Sequence, residues 1–396
     1  YFPTNENLAV PFTDHFTYRL VENSTNQSWS TGMVTVTVAG AAEFDWVRQN
    51  GRDGTVGATV LAVDCNGHAH VAGYYHLAAT SFGSTTLPMS SSGSLIRNLF
   101  LLEYDNAGGQ QSVHRIGEGA VVDIAGIGID DAGNRYLGGR FEGSMELGTS
   151  TLSSGASTYG VFLAKVSPSG TVLWARSPGR GSSANTTING IAVDPVGNSC
   201  LVGRFDDPDL NDSGIIVTRY DANGQRQWSR EAEHLGLGSN PLAAEAVFDS
   251  AGNIVVVGSF GGTLKFHTAQ QLSSVGGDDL FLAAYTPVGG LAWFRREGGS
   301  ANERAVAVDL DAANRISVAG TYDAASSMGT NSLTHVGGTE ILVAGFTTNG
   351  LIRWVQTGHG AGTDVPIDLA VDDAGRVSVG VNFFSSMNAS GVVLTS

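Results

Sequence analysis

The sequence predicts an all-β protein, a β-propeller with six visible repeats that each form a four-stranded blade. Two observations carry this prediction: the composition, and a motif that recurs six times along the chain. Glycine supplies 54 of the 396 residues, and only 15% of the residues are charged. This composition is typical of many short strands joined by tight turns, because long helices with charged faces need more Glu, Lys and Arg.

An apolar run that ends in aspartate, followed by a turn, marks each repeat. Examples are Ile-Ala-Val-Asp-Pro-Val-Gly-Asn (191–198) and Leu-Ala-Val-Asp-Asp-Ala-Gly-Arg (369–376). The anchoring aspartates recur every 55 to 66 residues, at Asp64, Asp130, Asp194, Asp249, Asp309 and Asp372. Asp accepts hydrogen bonds from the backbone that follows it, and Gly or Asn tolerates positive φ. A fixed period of this length indicates a repeat architecture.

A tryptophan follows the same period. Five of the six tryptophans of the chain fall on one repeat position: Trp46, Trp174, Trp228, Trp293 and Trp354. The missing member belongs near Ser112 and Val113, where the sequence has no Trp. The shared position predicts that each Trp packs in the same place of its repeat.

Each repeat is predicted to contain four strands. The first ends in the Asp motif, and the second ends at a glycine: Gly73, Gly139, Gly203, Gly258, Gly320 and Gly380. The third strands are predicted at Leu99–Tyr104, Val161–Val166, Ile215–Tyr220, Leu280–Tyr285 and Ile341–Phe346. The fourth carries the Trp. Four antiparallel strands with frequent turns fit a propeller blade. A parallel β-helix is the alternative, but its coils are usually shorter and lack this hairpin chemistry.

The motif order resembles the bacterial β-propeller repeats called SBBP repeats. The shared features are Ile-Ala-Val-Asp-x-x-Gly-Asn, Val-x-Gly, Phe-Leu-Ala-Lys-Val (162–166) and Gly-x-x-x-Trp. The resemblance covers about residues 43–396 and implies a propeller, commonly of seven blades, without implying any chemistry. The copies depart from the pattern at His68, Ala313 and Arg376.

Residues 1–42 lie outside the repeat. Apolar residues alternate with polar ones in two runs, at Phe16, Tyr18, Leu20 and at Val34, Val36, Val38. Such alternation predicts two half-buried strands. The pair resembles the closing hairpin of a bacterial cadherin-like or immunoglobulin-like module, and Ala39 to Ala42 would be the linker to the propeller at 43–396.

The sixth repeat shows sequence for only two strands before Ser396. We expect the Trp46 segment to close this blade as its fourth strand. The third strand would come from more of the same protein or from another copy, because an open blade presents an unpaired edge.

Charge and apolar runs exclude several functions. The formal net charge is −16 at pH 7, which disfavours nucleic acids and anionic membranes. No apolar run approaches the ~18 residues that cross a bilayer. The two cysteines, Cys65 and Cys200, occupy different positions in repeats one and three, so we expect free thiols rather than a disulfide.

Two groups of residues are candidate cation sites. The spacing Asp-x-Asp-x-Asn at Asp207, Asp209 and Asn211 is similar to the start of a calcium loop. However, Asp212 stands where the glycine should be and Thr218 where the bidentate Glu should be. A solvated acidic loop is therefore the preferred interpretation.

His68 and His70 form the second group, since they share one face of a strand and His76 is nearby in sequence. Three scattered imidazoles are weak evidence for a metal. We predict no catalytic residue, no cofactor-binding residue and no metal ligand.

Polar excursions between the second and third strands are the better candidates for recognition. Four of them share an apolar residue followed by a leucine, which we expect to hold a flap on its blade: Phe82/Leu87, Leu147/Leu152, Phe266/Leu272 and Met328/Leu333.

The sequence therefore predicts a secreted or cell-surface structural or adhesion protein without enzymatic activity. The propeller would serve as a rigid scaffold or as a platform for a protein or glycan partner, or for other copies of itself. A glycan hydrolase or lyase with its site in the central channel is one alternative, and a filament-forming subunit that exchanges strands through the incomplete blade is another.

Overall fold

A computed structural model describes twelve stretches of the chain: residues 12–18, 32–38, 55–89, 96–154, 159–178, 185–207, 212–235, 241–267, 270–372, 374–384, 386–389 and 392–395. Strands are the regular elements in these stretches, and every strand pair is antiparallel. The described part of the chain is thus all-β. Antiparallel pairing rules out the parallel β-helix, and no helix in these stretches is long and apolar enough to cross a membrane.

Two strands precede the repeats, β1 (Phe12–Tyr18) and β2 (Gly32–Val38), and they pair with each other. This agrees with the hairpin predicted for the N-terminal region. The Trp46 segment lies outside the described residues.

The remaining main strands follow the sequence repeats. Repeat one comprises β3 (Thr55–Val63), β4 (Ala69–His76), β7 (Arg97–Tyr104) and the first half of β8 (Gln110–Ile129). Repeat two comprises the second half of β8, β9 (Arg135–Leu147), β11 (Tyr159–Val166) and β12 (Val172–Arg176). Repeat three comprises β13 (Asn185–Val193), β14 (Ser199–Asp207), β15 (Asp212–Tyr220) and β16 (Arg226–Leu235).

Repeats four and five have the same plan, and repeat six is shorter. Repeat four comprises β17 (Leu242–Phe248), β18 (Ile254–Phe260), β21 (Asp279–Tyr285) and β22 (Leu291–Glu297). Repeat five comprises β23 (Glu303–Leu310), β24 (Ile316–Tyr322), β27 (Glu340–Phe346) and β28 (Ile352–Gly360). Repeat six contributes β29 (Val365–Val371) and β30 (Val377–Asn382), which pair with each other. In repeats one to five, successive strands pair in order, as the sequence predicts.

Small hairpins occupy the excursions. They are β5 (Thr80–Phe82) with β6 (Thr85–Leu87), the end of β9 with β10 (Ser150–Ser153), β19 (Thr263–His267) with β20 (Gln270–Ser273), β25 (Ser326–Met328) with β26 (Asn331–Leu333), and β31 (Ser386–Ala389) with β32 (Val392–Thr395). The predicted apolar anchors are buried or packed against buried clusters.

The hairpins of even-numbered repeats do more than cover their own repeat. The end of β9 pairs with β8, β19 pairs with β16, and β31 pairs with β28. Each of these hairpins thereby extends the sheet of the preceding repeat. The repeats are therefore joined two by two, which corrects the expectation that each flap is held only on its own blade.

The aspartate turns have the predicted form, with one correction. In each turn the backbone N–H four residues after the aspartate donates to its Oδ1, as Asn198 does to Asp194 at 2.7 Å. In repeat five the turn aspartate is Asp311, whose Oδ1 accepts from Arg315 at 2.9 Å, and not Asp309. Asn314 takes the left-handed position at φ 57° that glycine holds elsewhere. Asn tolerates this conformation better than other non-glycine residues.

A β-bulge lies at the same place in all six first strands. One residue of each first strand is skipped in the pairing with the second: Thr59, Ala125, Asn189, Ala244, Val306 and Ile367. In repeats one to five the predicted glycine of the second strand faces this bulge, whereas in repeat six Val381 has this place and the predicted Gly380 pairs with Asp368 instead. At Gly203 an added Cβ would lie 1.9 Å from the Thr187 carbonyl oxygen. The glycine is thus required because the bulged backbone approaches it closely.

The buried core is divided into layers between successive repeats. One cluster combines Val202 and Ile215 of repeat three with Val256 and Phe281 of repeat four. Equivalent clusters join repeats one and two, two and three, four and five, and five and six. The second and third strands of a repeat lie in the middle of its sheet and are covered on both faces. For this reason β18, β21 and β24 are buried along their whole length.

The recurring tryptophans complete these layers from one repeat to the next. Trp228 donates its indole Nε1–H to the carbonyl of Pro287, at 2.9 Å, in the turn between β21 and β22. Trp174 donates to Ala222 in the corresponding turn of repeat three, at 3.3 Å. Ser112 takes the Trp position in repeat one, opposite Glu103 in the pairing of β7 with β8.

Candidate functional site

One cavity is bordered by the first strands of all six repeats. Its volume is about 510 Å³. Its lining includes one or more residues from every first strand, among them Ala62, Gly128, Ala192, Val247, Asp309 and Leu369. Residues far apart in sequence but equivalent in their repeats therefore meet around one space.

The lining is chemically uneven. Repeats one to three contribute small or apolar residues such as Ala62, Gly128 and Ala192, and the turn aspartates Asp194 and Asp249 of repeats three and four also line the cavity. Repeats four and five contribute the carboxylates of Glu245 and Asp309. Clefts that concentrate charge on one side are where ligands and catalysis are usually found.

Each of these carboxylates holds the backbone of the next repeat. Val308 donates its N–H to Glu245 Oε2 at 2.7 Å, and Val371 donates to Asp309 Oδ2 at 2.7 Å. Asn189 of repeat three makes a similar bridge, donating from Nδ2 to the Ala243 carbonyl at 3.0 Å. Asn189 and the two cavity carboxylates therefore connect consecutive first strands from repeat three to repeat six.

Burial governs the protonation of this group. It raises the pKa of Glu245 to about 7, against the hydrogen bond from Val308, and the negative charges of Asp368 and Asp309 raise it further. Burial also raises the pKa of Asp309, although two backbone hydrogen bonds oppose this. Glu245 therefore changes its charge near neutral pH, which is the property expected of a proton-exchanging group.

Replacing Glu245 with Gln should flatten the pH dependence of stability. An acid with a raised folded-state pKa keeps a proton that the unfolded chain releases, so unfolding becomes easier as pH rises from 4.5 to about 7. The expected loss is about 2 kcal/mol, since each pKa unit is worth about 1.4 kcal/mol and partial exposure reduces the total. Gln keeps the bond from Val308 without this loss.

The measurement is the free energy of unfolding by urea at pH 5 and pH 8. The control is Glu146→Gln, at an exposed position, which should change with pH as the unmodified protein does. An unchanged pH slope in Glu245→Gln would contradict the assignment.

His68 and His70 both lie beside the Asp64 carboxylate, since His68 Nδ1 is 3.8 Å from Asp64 Oδ2, whereas His76 lies apart from them. His70 Nε2 lies 3.4 Å from Asp64 Oδ2, and His68 Nδ1 lies 3.3 Å from Glu103 Oε1. His76 is six residues further along β4, about 20 Å away at the usual strand rise. Within the described stretches no three His, Cys, Asp or Glu side chains form a metal-binding group.

Of the acidic loop, the two ends are described, where Asp207 pairs with Asp212 across β14 and β15. Asp207 is buried at the end of β14, and Thr218 lies inside β15, where its hydroxyl hydrogen-bonds with Ser229 at 2.9 Å. Asp209 and Asn211 lie outside the described residues. Cys65 and Cys200 are both free thiols, as expected, and the second is buried.

Sequence analysis missed the two cavity carboxylates for different reasons. Asp309 was assigned to the turn that Asp311 makes. Glu245 stands in an apolar strand at the position that Val60, Gly126 and Gly190 occupy in earlier repeats. The sequence did contain a signal for Glu245, namely a charged residue at a repeat position that is otherwise small or apolar.

Comparison with known proteins gives no named family. No protein-family model matches the chain, and no curated protein matches it. One similar solved structure is a protein of unknown function from Dyadobacter fermentans DSM 18053, with a TM-score of 0.41 and 10% identity over 77% of this chain and 94% of that chain. The SBBP resemblance therefore stays a prediction.

Two further structures are similar at a lower level. A protein of unknown function from Bacteroides caccae has a TM-score of 0.34 and 10% identity over 65% of this chain and 89% of that chain. A structure titled as the eukaryotic initiation factor has a TM-score of 0.25 and 9% identity over 87% of this chain and 96% of that chain. The fold and the cavity define an all-β repeat protein of antiparallel sheets.

Proposed function

We propose that this chain is a β-propeller acting as a non-enzymatic scaffold or binding platform outside the cell. The observation that carries the proposal is that one cavity is bordered by all six first strands. Radially arranged blades place their innermost strands around one axis, whereas a linear stack would bring together only neighbouring repeats. The core layers between successive repeats support the same arrangement.

The scaffold role is favoured by how the cavity uses its polar groups. Glu245 and Asp309 accept backbone N–H groups of the following repeat, so their oxygens are partly committed to holding strands together. The hairpins at the excursions offer varied surfaces on this frame, and surface loops on a rigid frame commonly carry recognition. The net charge of −16 suits an extracellular surface that avoids nucleic acids.

A glycan array and a cell-adhesion assay on the full-length protein test the binding role. We expect binding to a protein or glycan ligand. Loss of binding after substitutions in the hairpins, with Glu245→Gln still binding, would support recognition through the excursions. Blank results in both assays would remove the platform role.

A glycan hydrolase or lyase is the second candidate function. Glu245, with its pKa raised to about 7, and Asp309 border the same cavity, and paired carboxylates with differing pKa values perform glycoside hydrolysis elsewhere. Release of reducing ends from a polysaccharide panel tests it. Activity that disappears in Glu245→Gln and in Asp309→Asn would replace the scaffold proposal.

A filament-forming subunit is a third candidate, favoured by the two-stranded sheet of repeat six. Within the described residues, β30 pairs only with β29, so its other edge offers backbone groups to an added strand. Size-exclusion chromatography with light scattering tests this candidate. A stable monomer at high concentration would oppose strand exchange.

A further inference from the structure

Two carboxylates are buried together at the junction of repeats four and five. Asp279 begins β21 and Glu303 begins β23, and both are 0% exposed. Moving an ionised carboxylate out of water costs several kcal/mol unless other groups compensate its charge. This junction therefore needs a compensating partner for two negative charges.

The protein supplies only part of that compensation. Asp279 Oδ2 accepts from the Val275 N–H at 2.9 Å and from Arg296 Nη1 at 2.7 Å, while its Oδ1 has no partner. Glu303 Oε2 accepts from the Gly299 N–H at 3.0 Å, while its Oε1 has no partner. One oxygen of each buried carboxylate is thus left without a hydrogen bond.

The two carboxylates lie against the same point of the backbone. A Cβ added to Gly298 would lie 2.6 Å from Glu303 Oε2 and 3.1 Å from Asp279 Oδ1. Gly298 has φ 144°, which only glycine adopts readily. The backbone therefore passes between the two acids without a side chain to separate them.

A third buried oxygen belongs to the same group. Ser326 Oγ is buried and faces Glu303, whose pKa a long hydrogen bond from the Ser326 hydroxyl lowers. A serine hydroxyl that donates to a carboxylate keeps its own lone pairs free, and oxygen lone pairs are what Ca²⁺ binds.

The surrounding charges leave this group net negative. Asp323 lies near enough to raise the pKa of Glu303, and so does Asp279, although burial is the larger cause. Of the neighbouring arginines, Arg296 binds Asp279, and Arg304 donates to Asp278 at 2.8 Å. A hard divalent cation would supply the missing positive charge.

We propose that Asp279, Glu303 and Ser326 form a calcium site at this junction. The ligands would be Asp279 Oδ1, Glu303 Oε1 and Ser326 Oγ, with water and loop carbonyl oxygens completing the six to eight oxygens that Ca²⁺ takes. The donors are oxygens alone, which favours Ca²⁺ over Zn²⁺. The proposed site has two carboxylates. Among the described residues no group of three or more His, Cys, Asp or Glu side chains is placed to hold a metal ion.

The next junction provides a natural comparison. Asp364 holds the place of Glu303, since its N–H donates to the Thr339 carbonyl as that of Glu303 donates to Asp278. Glu340 holds the place of Asp279, but the N–H groups of Val336 and Gly337 and the Tyr322 hydroxyl bind both of its oxygens. At this junction only Asp364 has a carboxylate oxygen without a hydrogen bond, so two such oxygens do not face a cation together.

Calcium titration of the chelator-treated full chain tests the proposal. One Ca²⁺ per chain should bind by calorimetry, and saturating CaCl₂ should raise the Tm by about 5 °C, since a ligand that binds only the folded state stabilises it. Asp279→Asn and Ser326→Ala should weaken Ca²⁺ binding about tenfold or more, whereas Asp364→Asn should bind as the unmodified protein does.

A proton shared between Asp279 and Glu303 is the rival explanation of their burial. In that case CaCl₂ would leave the Tm unchanged, and acidification from pH 7 to pH 5 would raise it, because the raised pKa of Glu303 makes the folded state take up a proton. That result, or an equal Ca²⁺ response in Asp279→Asn, overturns the proposal. If Asp279→Asn does not fold, Ser326→Ala and the binding stoichiometry of the unmodified chain decide it.

Discussion

Gly203→Ala should lower the free energy of unfolding by about 3 kcal/mol, the cost of forcing extra volume into a closed site. The added Cβ would lie 1.9 Å from the Thr187 carbonyl oxygen and 2.9 Å from the Ile188 Cα. Both are backbone atoms of the bulge in β13 and cannot rotate away. Relief requires shifting the bulge, and with it the pairing of β13 and β14. Urea unfolding followed by circular dichroism measures the effect.

Gly380→Ala is the control because it makes the same change in a second strand one position away from the site that faces the bulge, since Gly380 pairs with Asp368 as Val202 pairs with Gly190. In repeat six the nearest atom to the added Cβ is the Asp368 carbonyl oxygen at 4.0 Å, so the methyl group has room. We expect a change within about 0.5 kcal/mol, as at an unstrained site. Equal losses in the two variants would show that the bulge is not the reason for the glycine.

Trp228→Ala should also cost about 3 to 4 kcal/mol, the usual loss for removing a large buried aromatic side chain. The indole is 7% exposed and lies between repeats three and four, with its ring centroid 5.9 Å from that of Tyr285. Its removal also leaves the Pro287 carbonyl without the indole N–H. The expected result is a lower Tm, measured by differential scanning calorimetry.

Trp354→Ala separates packing between repeats from packing within one. Trp354 lies against Gly345 of its own repeat, where an added Cβ would touch the indole. No turn of a following repeat lies over it among the described residues, because the described strands of repeat six are β29, β30 and the hairpin of β31 with β32, without a third and fourth strand. We expect about half the loss of Trp228→Ala. Equal losses would assign the effect of Trp228 to its own repeat.

Much of the strand order could be predicted because its signals are local. Each Asp turn is closed by hydrogen bonds within five residues, as at Asp194 and Asn198. The exception shows the limit of such signals. Both Asp309 and Asp311 follow apolar residues, and the choice depends on which residue accepts from the Arg315 N–H and on Asn314 replacing glycine.

The candidate sites could not be predicted because they depend on distant contacts. Burial in the folded protein raises the pKa of Glu245, and Asp368 and Asp309 of repeats six and five raise it further. Asp279 and Glu303 are 24 residues apart, and sequence spacing alone does not show that both lie against Gly298. The bulge likewise leaves no mark in the sequence except the glycine opposite it.

Hairpins that cross from an even-numbered repeat to the one before it make the pair, rather than the single repeat, the natural mechanical unit. Three such seams tie the repeats two by two, at β8 with β9, β16 with β19 and β28 with β31. Under a pulling force the chain should yield in lengths of roughly 120 residues rather than 60, because each seam must rupture together with the sheet it prolongs. Duplication of a pair of repeats would keep each of these strand pairings, whereas loss of one repeat would remove one of them.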